Sequence, residues 1–174
     1  MHLRWAEPSD ADTLLTLVRA LAAYERAPDA VVATRDDFVR ALARHPPEMQ
    51  ALLAEDQGRA VGFALFFPTW STWRGKPGIH LEDLFVLPEA RGRGVGKSLL
   101  TAVAGEAHRR GCARLEWQVL DWNEPARAFY RSLGATDMHE WVAMRLDGEL
   151  LASLAAQSQA SGIENSALPP EPRS

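Results

Sequence analysis

Cysteine is nearly absent from this chain of 174 residues; Cys112 stands alone. One thiol closes no intrachain disulfide, so the fold must rest on its apolar core, and a soluble cytoplasmic protein is expected. Cys112 lies in Gly111-Cys112-Ala113, just before an apolar stretch and without a clear histidine partner in the sequence. It reads as a buried structural thiol rather than a nucleophile. Long apolar runs are also missing. Met1-His2-Leu3-Arg4-Trp5 carries no signal-peptide hydrophobic region, and no run approaches the length that spans a bilayer. Positive charge is not in excess: 19 Lys and Arg face 23 Asp and Glu, for a formal net charge of −4. That balance argues against a general nucleic-acid binder, whose surface must neutralise phosphates. No internal repeat is visible. The five histidines show no metal-ligand spacing with one another or with Cys112, so no metal is expected, and no Ser-His-Asp arrangement can be argued.

What is present is an ordinary globular composition, 47% apolar and 24% charged, in a chain long enough for one domain with a substantial core. Leu3–Ala6 reads as a short strand. Ser9 or Asp10 then caps a helix with the stripe Leu14, Leu17, Val18 and Leu21, ending near Tyr24-Glu25-Arg26. Thr34 caps a second helix, with Asp37 at the third helical position, and Pro46-Pro47 stops it. Ala51–Ala54 and Ala60–Phe67 form strands around a turn at Glu55-Asp56-Gln57-Gly58. A loop is expected over Pro68–Gly78, carrying Trp70 and Trp73, which pack on a ligand, on a partner or on the domain itself. Further strands are expected at Ile79–Leu87, Leu115–Leu120, Thr136–His139 and Trp141–Leu146. Helices are expected over Val95–Arg110, from Pro125 to Gly134, and over Glu149–Ala156. The order makes an α/β fold with a mixed sheet, in which residues 79–120 form the parallel unit. A single domain is expected over 1–156. Gln157–Ser174, rich in Ser, Ala and Pro, reads as a disordered tail.

The most informative stretch is Arg91-Gly92-Arg93-Gly94-Val95-Gly96, between the apolar strand and the amphipathic helix. A strand that turns through glycines into a helix leaves backbone N–H groups without intrahelical partners. With the positive end of the helix dipole and nearby Arg91, Arg93 and Lys97, those donors suit a diphosphate; the alternative is a basic turn that only reverses the chain. Glu82 and Asp83 form a carboxylate pair, but adjacent strand residues point to opposite faces. Without a bulge they cannot serve one reacting centre, so one faces a cleft and the other is tied into backbone or surface contacts. His80, on the same strand face as Glu82, could line that cleft. Tyr130 sits at the border of the stripe Ala126, Phe129 and Leu133, so its hydroxyl is either free for chemistry or that of an amphipathic core-edge tyrosine.

Arg91–Gly96 resembles the acetyl-CoA pyrophosphate loop of the GNAT superfamily, Arg/Gln-x-x-Gly-x-Gly/Ala. Leu81-Glu82-Asp83-Leu84-Phe85-Val86 before it, and Trp122-Asn123-Glu124-Pro125 with Phe129-Tyr130 and Gly134-Ala135 after it, extend the likeness. Together with Ala23-Tyr24-Glu25, these blocks resemble the spermidine/spermine (diamine) N-acetyltransferase-like branch. The resemblance implies a mostly antiparallel central sheet with helices on both faces. It also implies acetyl-CoA as co-substrate and a homodimer. By this likeness Leu84, Phe85 and Val86 meet the acetyl-pantetheine arm, and Arg91, Gly92, Arg93, Gly94, Val95, Gly96 and Lys97 hold the pyrophosphate. Asn123 and Ala126 touch the cofactor. Tyr130 protonates the departing thiolate, Glu82 accepts the amine's proton, and Tyr24 and Glu25 line the amine pocket with Glu82. The chain departs from the polyamine enzymes by one residue added in Trp73–Leu81 and about two missing before Trp141. Both places border the amine pocket. The expected activity is acetyl transfer to a small cationic primary amine. A protein or peptide amine acceptor, or a non-catalytic acetyl-CoA-binding module, are the alternatives.

Overall fold

The computed structural model describes residues Met1 to Ser158 and divides them into two compact units, one of Met1–Trp122 and one beginning at Asn123. The first unit is built on a sheet in sequential order, β1 His2–Trp5, β2 Gln50–Asp56, β3 Arg59–Ser71, β4 Lys76–Val86 and β5 Leu115–Trp117. The pairings from β1 through β4 are antiparallel, and β4 with β5 is parallel. The mixed, mostly antiparallel sheet expected from the sequence is therefore present, and 79–117 is its parallel unit.

Alternation along the strands sorts the core into two layers. Ala51 and Leu53 of β2, Phe63 and Leu65 of β3 and Phe85 of β4 pack with Leu14 and Leu17 of α1 (Ala11–Tyr24) and Phe38 of α2 (Arg35–Ala43). The intervening residues, among them Ala64, Phe66 and Leu81, are buried on the other face. There α3 (Val95–Arg109) packs on β3 and β4 through Leu99 and Val103. Each large apolar side chain so buried stabilises the fold by about 1.5–3 kcal/mol. Thr34 caps α2 as expected: its hydroxyl accepts from Asp37 N–H at 3.4 Å, and Asp37 accepts from Thr34 N–H at 2.8 Å. Asp10 stands at the start of α1, but its carboxylate takes Glu7 N–H and both terminal nitrogens of Arg4 instead of capping the helix. That ion pair holds Asp10 below the usual carboxylate range.

Two sequence expectations are corrected here. The loop expected over 68–78 is a continuation of the β3–β4 hairpin, with Pro68 opposite Ile79 and Ser71 opposite Lys76. Its turn spans residues 72–75, where Gly75 at φ +59 donates to Ser71 C=O. Pro68, Pro77 and Gly78 disfavour strand locally, yet the flanking ladder carries the pairing through them. Likewise β5 stops at Trp117, three residues short of the expected Leu120.

In the second unit α4 (Glu124–Ser132) starts at Asn123 and stops before Gly134, whose φ of +90 lets the chain leave the helix. The strands expected at Thr136–His139 and Trp141–Leu146 are not formed among the described residues. A strand needs a neighbour for its backbone hydrogen bonds, and within this unit no described residue forms a strand that could supply one. Trp141, Val142 and Met144 stand exposed. A last helix, α5 (Gly148–Ser158), contains the expected Glu149–Ala156 and runs two residues into the expected tail. The remainder of that tail, 159–174, lies outside the described residues. No helix of the described residues is long and apolar enough to cross a membrane.

Candidate active site

Leu65 pairs with Asp83 and Phe66 pairs with Leu81, so Glu82 is an extra residue on β4, a β-bulge. A bulge breaks the strict alternation that would send Glu82 and Asp83 to opposite faces. Cross-strand partners share a face, so Asp83 lies with Leu65 and His80 with Phe67, on the α1 side. His80 and Glu82 are themselves 3.5 Å apart. The expectation that only one of the two carboxylates could face the cleft is thereby corrected.

Asp83 is half-buried, and burial pushes its carboxyl up to about 6, with the charges of Glu82 and Glu25 adding to the shift. Burial likewise raises Glu25, at the end of α1. The Glu82 carboxylate is the exposed one of the pair. Glu25, Glu82 and Asp83 thus form one acidic cluster, in which the charges of Glu82 and Glu25 disfavour ionisation of Asp83. Asp83 is the member that sequence reasoning misses; the Glu-Asp pair is visible in the sequence, but the bulge is not.

Beyond the bulge, the β4–β5 ladder ends at Leu81 opposite Trp117 while β4 runs on to Val86. The outer edge of Leu84–Val86 therefore has no neighbouring strand in this unit. Phe85 itself is buried in the α1-side core, so it can offer a ligand only its backbone.

The turn that follows reverses through Gly92 at φ +72 and Gly94 at φ +79, a region costly for residues with a Cβ. Gly94 starts α3 with no side-chain cap, and the first bond of the helix is Ser98 N–H to Gly94 C=O at 3.0 Å. The N–H groups of Val95, Gly96 and Lys97 precede that bond and lie at the positive end of the helix. This uncapped, glycine-framed start offers N–H groups that could hold a diphosphate, and the strand edge leading into it could hold an extended, amide-bearing arm.

The two arginines of the turn are both engaged within the protein. Arg93 pairs with Asp56 at 2.8 Å. Arg91 Nε–H donates to Val86 C=O at 2.9 Å, and its guanidinium lies 4.5 Å over the ring of Tyr24. Tyr24 also meets Phe85 and Trp122, with ring centroids 6.4 and 6.5 Å away. Lys97 makes no ion pair among the described residues. Trp70 and Trp73 stand at the hairpin tip, 61% and 89% exposed.

In the second unit, Asn123 is buried and its side chain accepts from Ala126 N–H at 3.3 Å, fixing the start of α4. Tyr130 is half-buried with its ring 5.2 Å from that of Phe129. Glu124, Arg127, Arg131 and Asp137 form an ion-pair network along the helix.

Comparison with known proteins accords with this geometry. The family model described as "Acetyltransferase (GNAT) family" matches residues 13–135. The chain is 36% identical over 166 residues to a thialysine N-epsilon-acetyltransferase of Bos taurus, covering 89% of this chain and 97% of that protein. It is 37% identical over 131 residues to an L-ornithine N5-acetyltransferase of Arabidopsis thaliana, covering 70% of this chain and 58% of the relative. A solved integron cassette protein from the mobile metagenome of V. cholerae superposes with a TM-score of 0.74 at 25% identity, covering 88% of this chain and 96% of that one. With the family match spanning most of the chain, the protein belongs to the acetyltransferase (GNAT) family and is an N-acetyltransferase.

Proposed function

We propose that this protein transfers the acetyl group of acetyl-CoA to the primary amine of a small cationic acceptor, a diamine, polyamine or lysine-like amino acid, by direct attack in a ternary complex. The observation that carries the reading is the bulge at Glu82. It collects Glu82 and Asp83 on the face that also meets Glu25, directly ahead of the glycine turn. Burial and the neighbouring charges of Glu82 and Glu25 disfavour the ionised Asp83 carboxylate, a cost that a bound ammonium relieves, and a small diamine supplies one end for binding and one for reaction. The bovine and plant relatives are named for thialysine and ornithine, both short-chain primary amines.

The residues present fit acetyl-CoA, which supplies a thioester-activated acetyl group. Leu84, Phe85 and Val86 offer backbone groups to its extended arm. Gly92, Gly94, Val95, Gly96 and Lys97 offer N–H groups to its pyrophosphate, with the Lys97 ammonium adding charge. Arg93, already paired with Asp56, contributes by holding the turn in place. Asn123 and Ala126 complete the cofactor contacts by family likeness. A primary amine with a pKa near 10.4 is almost wholly protonated at pH 7, so freeing its lone pair costs about 4–5 kcal/mol. Glu82, the exposed carboxylate, takes that proton through water, while Asp83 and Glu25 with Tyr24 hold the acceptor. Tyr130 gives its proton to the departing thiolate. No covalent bond to the protein is needed; Cys112, expected to be buried, is half-buried. Residues 1–156 act as one acetyltransferase domain. The protein works in the cytoplasm as a homodimer, with the exposed apolar side chains Trp141, Val142 and Met144 suited to cover by a second copy.

The test is thiol release from acetyl-CoA against thialysine, ornithine, lysine, spermidine and amino-terminal peptides. Turnover with the small diamines and little with peptides is expected. Release with peptides alone would remove the acceptor class, and CoA binding without release for any amine would leave a binding module.

A further inference from the structure

We infer that Arg91 is a positioning residue that couples occupation of the diphosphate cradle to the acceptor pocket through the ring of Tyr24. The inference rests on the assignment of residues 91–97 to acetyl-CoA made above. A loop arginine serving phosphate alone would keep its guanidinium clear of carbonyls and rings. Arg91 does the reverse. Its Nε–H is spent on Val86 C=O at 2.9 Å, and its planar head lies 4.5 Å over Tyr24 and 5.6 Å from the centre of Phe85. Tyr24 in turn meets Trp122, and Arg26 lies 4.4 Å over that indole. A continuous stack of cations and rings therefore runs from the glycine turn to the C-terminal end of α1, where Glu25 begins the acidic cluster.

Arg93, two residues on, carries a carboxylate partner; Arg91 has none among the described residues. Its terminal nitrogens are offered no acceptor by the described residues, while one hydrogen bond and one ring face already set the plane of the guanidinium. This combination is specific to arginine, because an ammonium can neither stack nor fork in one plane. A phosphate oxygen arriving at the cradle finds those terminal nitrogens and fixes the cation over Tyr24 more tightly. Coupling between sites is reciprocal, so the Tyr24 ring must then be felt in the affinity of the cofactor.

CoA itself is the probe, titrated calorimetrically into the unmodified protein, Tyr24→Leu, Arg91→Lys and the double variant. Tyr24→Leu is expected to weaken CoA binding about three- to tenfold, the range of a cation–ring contact. Arg91→Lys, which keeps the charge, is expected to weaken it at least as much. The double variant should bind no worse than Arg91→Lys. Equal losses from Tyr24→Leu on both backgrounds mean a direct contact between ring and cofactor and overturn the inference, as does an unchanged affinity in Arg91→Lys. A second readout needs no Tyr24 variant. CoA should slow amide exchange across Leu21–Arg26 in the unmodified protein and leave it unaltered in Arg91→Lys; equal slowing in both overturns the coupling. Failure of CoA to bind the unmodified protein refutes the cofactor assignment, and the inference with it. That result is distinguishable because it precedes any substitution.

Discussion

Asp83→Asn is expected to make this protein more stable at neutral pH while harming its work. Burial, then the charges of Glu82 and Glu25, push the Asp83 carboxyl from 3.8 up to about 6. A displacement of about 2 pH units corresponds to roughly 3 kcal/mol by which folding disfavours the ionised carboxylate. The folded chain holds this proton more tightly than the unfolded chain does. Stability therefore falls as pH rises from about 4 to about 6, and the whole cost is present above that window. Asparagine cannot ionise, so the variant escapes the cost. Allowing for an imperfect fit of the amide, urea unfolding at pH 7 should show it more stable by about 2 kcal/mol. At pH 4 the advantage should have gone. Asp10 and Glu106, held low by Arg4 and by Arg109 with Arg110, impose the opposite trend. Their contribution is present above the ordinary carboxylate range and is lost as pH falls through their lowered values. It is common to both proteins and cancels in the difference. A difference that stays flat between pH 4 and pH 8, or a variant less stable at pH 7, would refute the electrostatic reading of the cluster. The same variant should raise KM for the cationic acceptor, because the repulsion that destabilises the empty site is what an ammonium relieves.

Two further predictions concern the proposed proton transfers. Tyr130→Phe should lower kcat by about 10²–10⁴, the range for loss of a positioned acid, with the dissociation constant of CoA unmoved; full turnover would end the assignment of Tyr130 as the acid. Glu82→Gln should carry the rise of kcat/KM with pH to higher pH, since the amine must then lose its proton unaided. An unmoved profile would return Glu82 to a role in binding alone.

Features encoded within a few consecutive residues are legible in the sequence. Thr34 and Asp37 announce the start of α2, because the caps that satisfy orphan N–H groups come from residues three apart. Leu14 and Leu17 mark the buried stripe of α1. The glycines at 92 and 94 announce a turn, because only residues without a Cβ enter positive φ at little cost. The three motif blocks, in order, point to the acetyltransferase family, which the family match and the relatives bear out.

Features that depend on a partner distant in the chain are not legible in this way. The ladder through Pro68, Pro77 and Gly78 runs against local propensity and exists because Ile79 and Lys76 lie opposite Pro68 and Ser71. The stretch Trp141–Leu146 is apolar enough for a strand and is not one among the described residues, because apolar content supplies no hydrogen-bonding neighbour. The bulge is a matter of register between β3 and β4, and no local pattern marks which residue is extra. By itself, then, the sequence determined the mixed fold, the family and the glycine turn Arg91–Gly96, since each is written in short-range spacing. The tertiary structure alone decided that Glu82 and Asp83 share a face with Glu25 near them, and that Arg91 lies over Tyr24 instead of standing free. Both follow from where the chain returns to itself, which spacing along the chain does not specify.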